Sequence, residues 1–425
     1  MKRFLIPLAC LLVQAVPGFA LAAGELRLDL RQAEALWREH SRELRVAESA
    51  LQGGIADLRA AGERPNPTVS VNSLSLSPQE GIGGGQFKNK NMDTQLRIEQ
   101  LIERGGKRDL RIKGAEARLA AARGDVENFR RSQRGELRAA FYDLKLAQER
   151  LLLSEESVAA YGQSLDAGRL RQKAGDIAAV DVARLRIDDS RARSDLRQDQ
   201  AALDTARRAL AYLIGSDEAA HLVAGDEWPA ARESAAEQLA AGDVVDKVLA
   251  ARPDLQAARQ RVLAAEADRD LALAARRRDV TVGVQYERNL QNLPTNSYGI
   301  GVSVPLFLWH NNEGAIARGE ADYDTARLQY EQLQARLRSE LEQLRQRLIA
   351  AHDRLRLYDE ELLADARRTA QAAEFAYGKG AMSLMDLLDA RRSLKQLQTE
   401  AAMARAEHAK ALSDWRIATD TWETP

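Results

Sequence analysis

Apolar residues return every three or four positions along two long stretches of this chain, and at every second position along several short ones. Leu137, Phe141, Leu144, Gln148, Leu151, Glu155 and Val158 follow 4-3 spacing with polar breaks at Gln148 and Glu155. Leu341, Leu344, Leu348, Ala351, Leu355, Tyr358 and Leu362 follow it unbroken. Such seams belong to helices packed along their length. No proline lies between Pro78 and Pro229, or between Pro305 and Pro425, so neither stretch holds a helix breaker. A helix over about 107–173 is roughly 100 Å long. No compact domain of this size holds one, so the helices project as a coiled-coil rod.

The short stretches read as strands. Val280, Val282, Val284 and Tyr286 alternate with Thr281, Gly283 and Gln285. Tyr298, Ile300, Val302 and Val304 alternate with Ser297, Gly299, Gly301 and Ser303. Leu96 and Ile98 stand opposite Gln95, Arg97 and Glu99, and 68–76 is rich in Val, Ser and Leu. Strands are therefore expected at about 67–76, 93–102, 279–287 and 296–305, with turns at 81–85 and 289–296. Period-two alternation with small polar residues on one face fits a membrane barrel, apolar outward and wet inward. A half-buried hairpin of a soluble protein has the same local pattern.

The two halves match. Glu43-Leu44 falls on Asp254-Leu255, and Val69-Ser70-Val71 on Val280-Thr281-Val282, at an offset of 211 residues. Past the strands, Gly175 falls on Gly380, Asp181 on Asp386 and Arg186 on Arg391, at an offset of 205. The longer first hairpin loop absorbs the difference. The organisation expected is a first helix–strand–strand–helix repeat over 23–215, a linker or equatorial segment over 216–242, and a second repeat over 243–420. The fold class is mainly α with a β-barrel portion. One chain supplies about four strands, too few to close a barrel, and lipid does not tolerate open strand edges. Several chains must share one barrel; two, three or four chains all give an even strand number.

The N-terminus sets the compartment. Lys2 and Arg3 precede a mostly apolar run over 4–16, Pro17-Gly18 breaks it, and Ala20-Leu21-Ala22 supplies the small residues of a cleavage site. A signal peptide is expected over 1–22. The only cysteine, Cys10, lies inside it, so disulfides and thiol chemistry are not expected of the mature chain. The chain has 62 basic and 63 acidic residues, so no positive field favours nucleic acid. Aromatic residues at 5% argue against a large enzyme core. No Gly-x-Ser-x-Gly elbow, His-Glu-x-x-His or phosphate loop occurs. No enzyme activity, catalytic residue or cofactor is expected. His40, His221, His310, His352 and His408 are scattered without ligand spacing, and no metal site is expected from them. Met382 and Met385 are thioethers at i, i+3 that threefold symmetry could gather into a site suited to Cu(I); adaptable packing against neighbouring helices or a partner protein is the preferred reading. Arg276-Arg277-Arg278 precede a strand, either at a membrane boundary or as a plain solvated cluster.

The stretch Tyr377-Gly378-Lys379-Gly380 … Leu384-Met385-Asp386-Leu387-Leu388-Asp389-Ala390-Arg391 resembles the periplasmic-tip motif of TolC-type outer-membrane efflux proteins. Gln100-Leu101-Ile102-Glu103-Arg104-Gly105-Gly106-Lys107-Arg108 resembles the stretch after the first hairpin in the CzcC-like, cobalt–zinc–cadmium resistance branch. Val304-Pro305-Leu306-Phe307 and Ala251-Arg252-Pro253-Asp254-Leu255 fit the broader family. The resemblance implies a homotrimer in the outer membrane, with a twelve-stranded barrel above a periplasmic helical tunnel. It implies a periplasmic adaptor and an inner-membrane resistance-nodulation-division pump as partners. The function it implies is the exit duct for divalent metal cations such as cobalt, zinc or cadmium. A drug or protein exit duct of the same family and a soluble periplasmic adaptor are the alternatives. It further implies a gate and selectivity ring at Asp386 and Asp389, a tip latch between Tyr377 and Asp181, and tip turns facing the adaptor at Gly175 and Gly380. Met382 departs from the pattern, standing where the family carries a basic latch residue.

Overall fold

The computed structural model describes residues 26–74, 93–231, 245–289 and 295–419. The expected signal peptide, the 81–85 turn, most of the second turn and the end of the linker lie outside these residues. The first half runs β1 (Leu26–Leu28), α1 (Leu30–His40), α2 (Arg42–Ala61), β2 (Thr68–Leu74), β3 (Asp93–Ile102), α3 (Lys107–Ala174) and α4 (Ala179–Leu213). After β4 (Leu222–Ala224) the second half runs α5 (Val245–Ala251), α6 (Pro253–Ala274), β5 (Val280–Asn289), β6 (Thr295–Ser303) and α7 (Glu313–Arg356). A π-helical turn over Leu357–Leu362 joins α7 to α8 (Leu363–Gly378), and α9 (Leu384–Thr419) closes the chain. The two halves thus repeat one order, helix–strand–strand–helix–helix.

Local chemistry sets the ends of these elements. Asp29 and Gln32 form a reciprocal capping box on α1, with bonds of 2.6 and 2.9 Å. The Ser41 hydroxyl caps α2, and Pro253 stands at the start of α6, where its missing N–H has no partner to lose. Helix α3 is unbroken over 68 residues, about 100 Å of rise. Gly175 ends it in the left-handed region at φ 86°: its N–H bonds to Gln172 and the Asp176 N–H to Arg171. Gly380 ends α8 in the same way, at φ 75°, with Ala381 N–H bonding to Ala376.

Packing corrects the expected seams. In α3 the buried stripe follows Leu137, Phe141, Leu144, Ala147, Ser154, Tyr161, Leu165 and Gly168. The polar position on it is Ser154, not Glu155, which is exposed. The Ser154 hydroxyl donates to one carboxylate oxygen of buried Asp199 of α4, and Arg150 pairs with the other at 3.0 Å, so the break is a polar contact between the two helices. In the second half the stripe holds through Leu341, Leu348, Ala351 and Leu355, then passes to Leu363, Ala366, Ala370 and Ala373. Tyr358 and Leu362 are only half-buried, because the π turn inserts one residue into the repeat.

The broadest apolar core lies mid-rod. Trp37, Leu137, Phe141, Leu144, Leu203, Leu210, Ile214 and Leu222 pack there under a two-stranded parallel sheet of β1 and β4. These three-residue strands were not expected from the sequence; they put the 216–231 part of the linker against the rod. Gly215 turns the chain out of α4 at φ 69°.

A buried charge group clamps α1 to α3. Glu34 lies 3.0 Å from Arg134 Nε and 2.6 Å from Arg138 Nε. Burial pushes the Glu34 carboxyl up, but hydrogen bonds and charge from the two guanidiniums outweigh it and hold its pKa below the ordinary carboxylate value. A carboxyl depressed on folding adds stability above its unfolded pKa of about 4.3, and that stability is lost as pH falls through the folded value. Glu34→Gln is expected to cost about 2 kcal/mol at neutral pH, by removing the carboxylate that both partly buried guanidiniums share. It should also flatten the acid limb of a Tm-against-pH curve. Parallel curves for the two proteins would refute the pairing.

Candidate functional site: the two-faced sheet and the helix tips

The four long strands form one antiparallel sheet in the order β2-β3-β5-β6, joining both halves of the chain. Its register sorts the side chains by face. One ladder runs Val69–Ile98–Val284–Ile300 and the next Val71–Leu96–Tyr286–Tyr298. These apolar side chains stand open in the single chain; Ile300 is 83% exposed and Tyr298 82%. On the opposite face the ladders run Ser70–Arg97–Gln285–Gly299 and Thr68–Glu99–Gly283–Gly301. Arg97 pairs with Glu99 at 2.5 Å, and Gln95 donates to Gln285 at 3.1 Å. The glycines make room for these side chains to lie flat: a Cβ at Gly299 would sit 3.0 Å from Gln285 Cγ, and one at Gly283 would sit 3.1 Å from Glu99 Cγ. Among the described residues the outer edges of β2 and β6 have no strand partner. Among the described residues no helix is long and apolar enough to cross a membrane.

The β3–α3 junction is built as a clamp. Gly105 and Gly106 both adopt left-handed φ, 82° and 72°. Asp279 accepts the Arg104 N–H at 2.9 Å and the Lys107 ammonium at 2.8 Å, tying this loop to the start of β5. Burial raises the Asp279 carboxyl, but these two bonds prevail and its pKa is lowered.

At the far end of the rod, Gly175 and Gly380 each turn a long helix back on itself, and a Cβ at either would meet nothing within 4 Å. Backbone conformation, not crowding, therefore calls for glycine there. Asp386 is exposed in the first turn of α9, which Ser383 caps: the Ser383 hydroxyl accepts the Asp386 N–H at 3.2 Å and donates to the Asp386 carboxylate at 2.7 Å. Asp389 is exposed one turn on and pairs with Arg392 at 3.2 Å. Arg392 also holds buried Asp188 of α4 at 2.8 Å. Burial alone would lower the Arg392 pKa, but the Asp188 carboxylate raises it. The expected latch pair is not joined in the single chain. Tyr377 lies under the Arg171 guanidinium, 5.3 Å from ring centre, and Asp181 sits 3.6 Å from Arg184. Arg391 of the tip motif binds Glu374 at 2.9 Å and the Ala160 carbonyl at 3.4 Å, linking α9 to α8 and α3. The sequence reading missed the roles of Arg392 and Asp188, since no local pattern relates residues so far apart in the chain. Nor did it bring His352 and His408 together, whose ring centres lie 6.2 Å apart.

Comparison with known proteins agrees with this geometry. The family model described as outer membrane efflux protein matches residues 21–216 and 244–416. The sequence is 26% identical over 418 residues to the cobalt-zinc-cadmium resistance protein CzcC of Cupriavidus metallidurans, covering 93% of this chain and 94% of that protein. Among solved structures, a membrane protein from Pseudomonas aeruginosa matches with a TM-score of 0.78 at 19% identity, covering 93% of this chain and 94% of the other. The outer membrane protein VceC from Vibrio cholerae matches with a TM-score of 0.76 at 20% identity, covering 92% and 95%. The match spans both halves of the rod and all four strands of the sheet, and the chain therefore belongs to the outer membrane efflux protein family, with the TolC-type channel fold.

Proposed function

We propose that this chain is the outer-membrane exit duct of a tripartite, proton-driven efflux system, and that its cargo is divalent heavy-metal cations such as cobalt, zinc or cadmium. The observation that carries the duct is the sheet, with one dry face, one wet face and two edges that no strand among the described residues pairs. A homotrimer pools twelve strands, removes every edge from lipid and turns the polar ladders inward. Two repeats per chain, over 23–215 and 243–420, give the tunnel below it near-equivalent walls. A periplasmic adaptor and an inner-membrane resistance-nodulation-division pump complete the machine. Similarity to a cobalt-zinc-cadmium resistance protein over almost the whole chain supports the cargo.

In this reading the tips at Gly175 and Gly380 face the adaptor, and Asp386 and Asp389 ring the periplasmic entrance. Tyr377 and Asp181 latch the closed entrance by exchanging their present partners, Arg171 and Arg184. A carboxylate ring attracts cations at short range. Replacing both Asp386 and Asp389 by alanine is expected to lower the cation-to-anion permeability ratio of single channels severalfold. An unchanged reversal potential in a salt gradient would remove the ring. For the whole proposal, the gene is deleted and growth is measured in zinc, cobalt, cadmium, nickel, copper and several drugs. Sensitivity to divalent metals alone is the expected result. Sensitivity to drugs alone would reassign the cargo, and a soluble periplasmic monomer on fractionation would reject the duct.

A further inference from the structure

The rod-facing end of the sheet carries a charge pattern that the duct has no use for. The chain as a whole balances 62 basic against 63 acidic residues. The two loop segments 103–108 and 275–279, clamped together there, hold six basic residues and two acidic ones. Both acids are engaged: Glu103 with Arg111, and Asp279 with Lys107. Arg104, Arg276, Arg277 and Arg278 are exposed, and among the described residues none of them forms an ion pair. The segment that follows β6 carries Val304, Leu306 and Leu308 at alternate positions, and Trp309 follows. Leu306 is 67% exposed, Leu308 73% and Trp309 94%. The Arg278 guanidinium lies 5.3 Å from the Phe307 ring centre, which joins the cationic cluster to the apolar one.

We infer that this patch binds the headgroup of an anionic phospholipid in the periplasmic leaflet of the outer membrane. The inference rests on the membrane-barrel reading above. Tryptophan settles at the boundary between hydrocarbon and water, where its ring is apolar and its N–H is wet. The exposed leucines just beyond the end of β6 meet the upper acyl chain. Guanidinium groups bind phosphate through paired N–H donors. An apolar ledge followed by a surplus of guanidiniums matches one ligand, a lipid with a net negative headgroup. A zwitterionic headgroup brings its own cation toward the same arginines. Each basic residue near an anionic surface strengthens attachment about fivefold.

The test uses the detergent-extracted oligomer, mixed with equal amounts of phosphatidylglycerol and phosphatidylcholine and weighed by native mass spectrometry. The expected result is about tenfold more phosphatidylglycerol retained. The triple substitution Arg276→Gln, Arg277→Gln and Arg278→Gln is expected to abolish the preference, and the corresponding lysine triple to keep most of it. Excess inorganic phosphate should leave it unchanged. Equal retention of the two lipids, a preference that survives the glutamine triple, or displacement by phosphate would each overturn the site. Heat-modifiability of the oligomer is read in the same preparation. An intact oligomer without lipid preference removes the lipid site alone, whereas absence of the oligomer removes the duct as well.

Discussion

Ile300→Arg is expected to keep the chain out of the outer membrane. Ile300 lies midway along β6, in register with Val284, Ile98 and Val69 on the dry face. It is 83% exposed in the single chain, so little of it is shielded by protein there. An arginine at the midplane of a lipid-facing strand costs about 2–4 kcal/mol, and a trimer bears that cost three times. Fractionation should find no heat-modifiable oligomer in the outer membrane. Ser297→Arg is the matched control, because Ser297 pairs with Glu287 on the polar face. It should insert normally. Equal behaviour of the two variants would mean that the faces are assigned the wrong way round.

Gly215→Ala is expected to be the most damaging single methyl in the rod. Gly215 has φ 69°, and an added Cβ would stand 2.4 Å from the His40 carbonyl oxygen. The left-handed conformation costs alanine about 1–2 kcal/mol. Overpacking adds about 1–3 kcal/mol, and here the obstacle is backbone, which no rotamer change can move. The total, about 3 kcal/mol, should appear as a clear fall in the thermal unfolding midpoint of the solubilised protein. Gly106→Ala separates the two causes. Its φ is 72°, but nothing lies within 4 Å of the new Cβ, so only the conformational part is lost. If the two variants lose equal stability, the approach to His40 is not what demands glycine.

The strands and the long helices were legible because their signals repeat. Val280 to Tyr286 alternates through the whole of β5, and the 3–4 spacing of α3 runs on without a proline. The corresponding residues of the two halves could be matched for the same reason: α2 begins at Arg42 and α6 at Pro253, and the 211-residue offset read from Glu43 and Asp254 connects them. What stayed hidden depends on contacts that leave no local period. β1 and β4 are three residues each and exist only because they pair across the chain. Asp389 looked like one half of a bare acidic pair, yet Arg392 beside it is shared with Asp188 from another helix. Tyr377 and Asp181 were placed by resemblance, and within one chain each has taken a different partner. The run Leu355, Tyr358, Leu362 kept perfect spacing on paper, but spacing cannot reveal that the helix widens there.

That widening works as an angular vernier. An α-helix turns about 100° per residue, so one inserted residue would swing everything beyond Leu355 by that angle about the rod. The wider π turn takes the angle back and returns Leu363, Ala366 and Ala370 to the line that Leu348 and Leu355 began. The direction in which α8 delivers its tip, and with it the azimuth of Gly380 and Asp386, is therefore set by six residues far above them. Deleting one residue within Leu357–Leu362 would let the segment close as regular α-helix with the tip's azimuth kept, whereas forcing the present six residues into α geometry would swing the whole tip by about 100°.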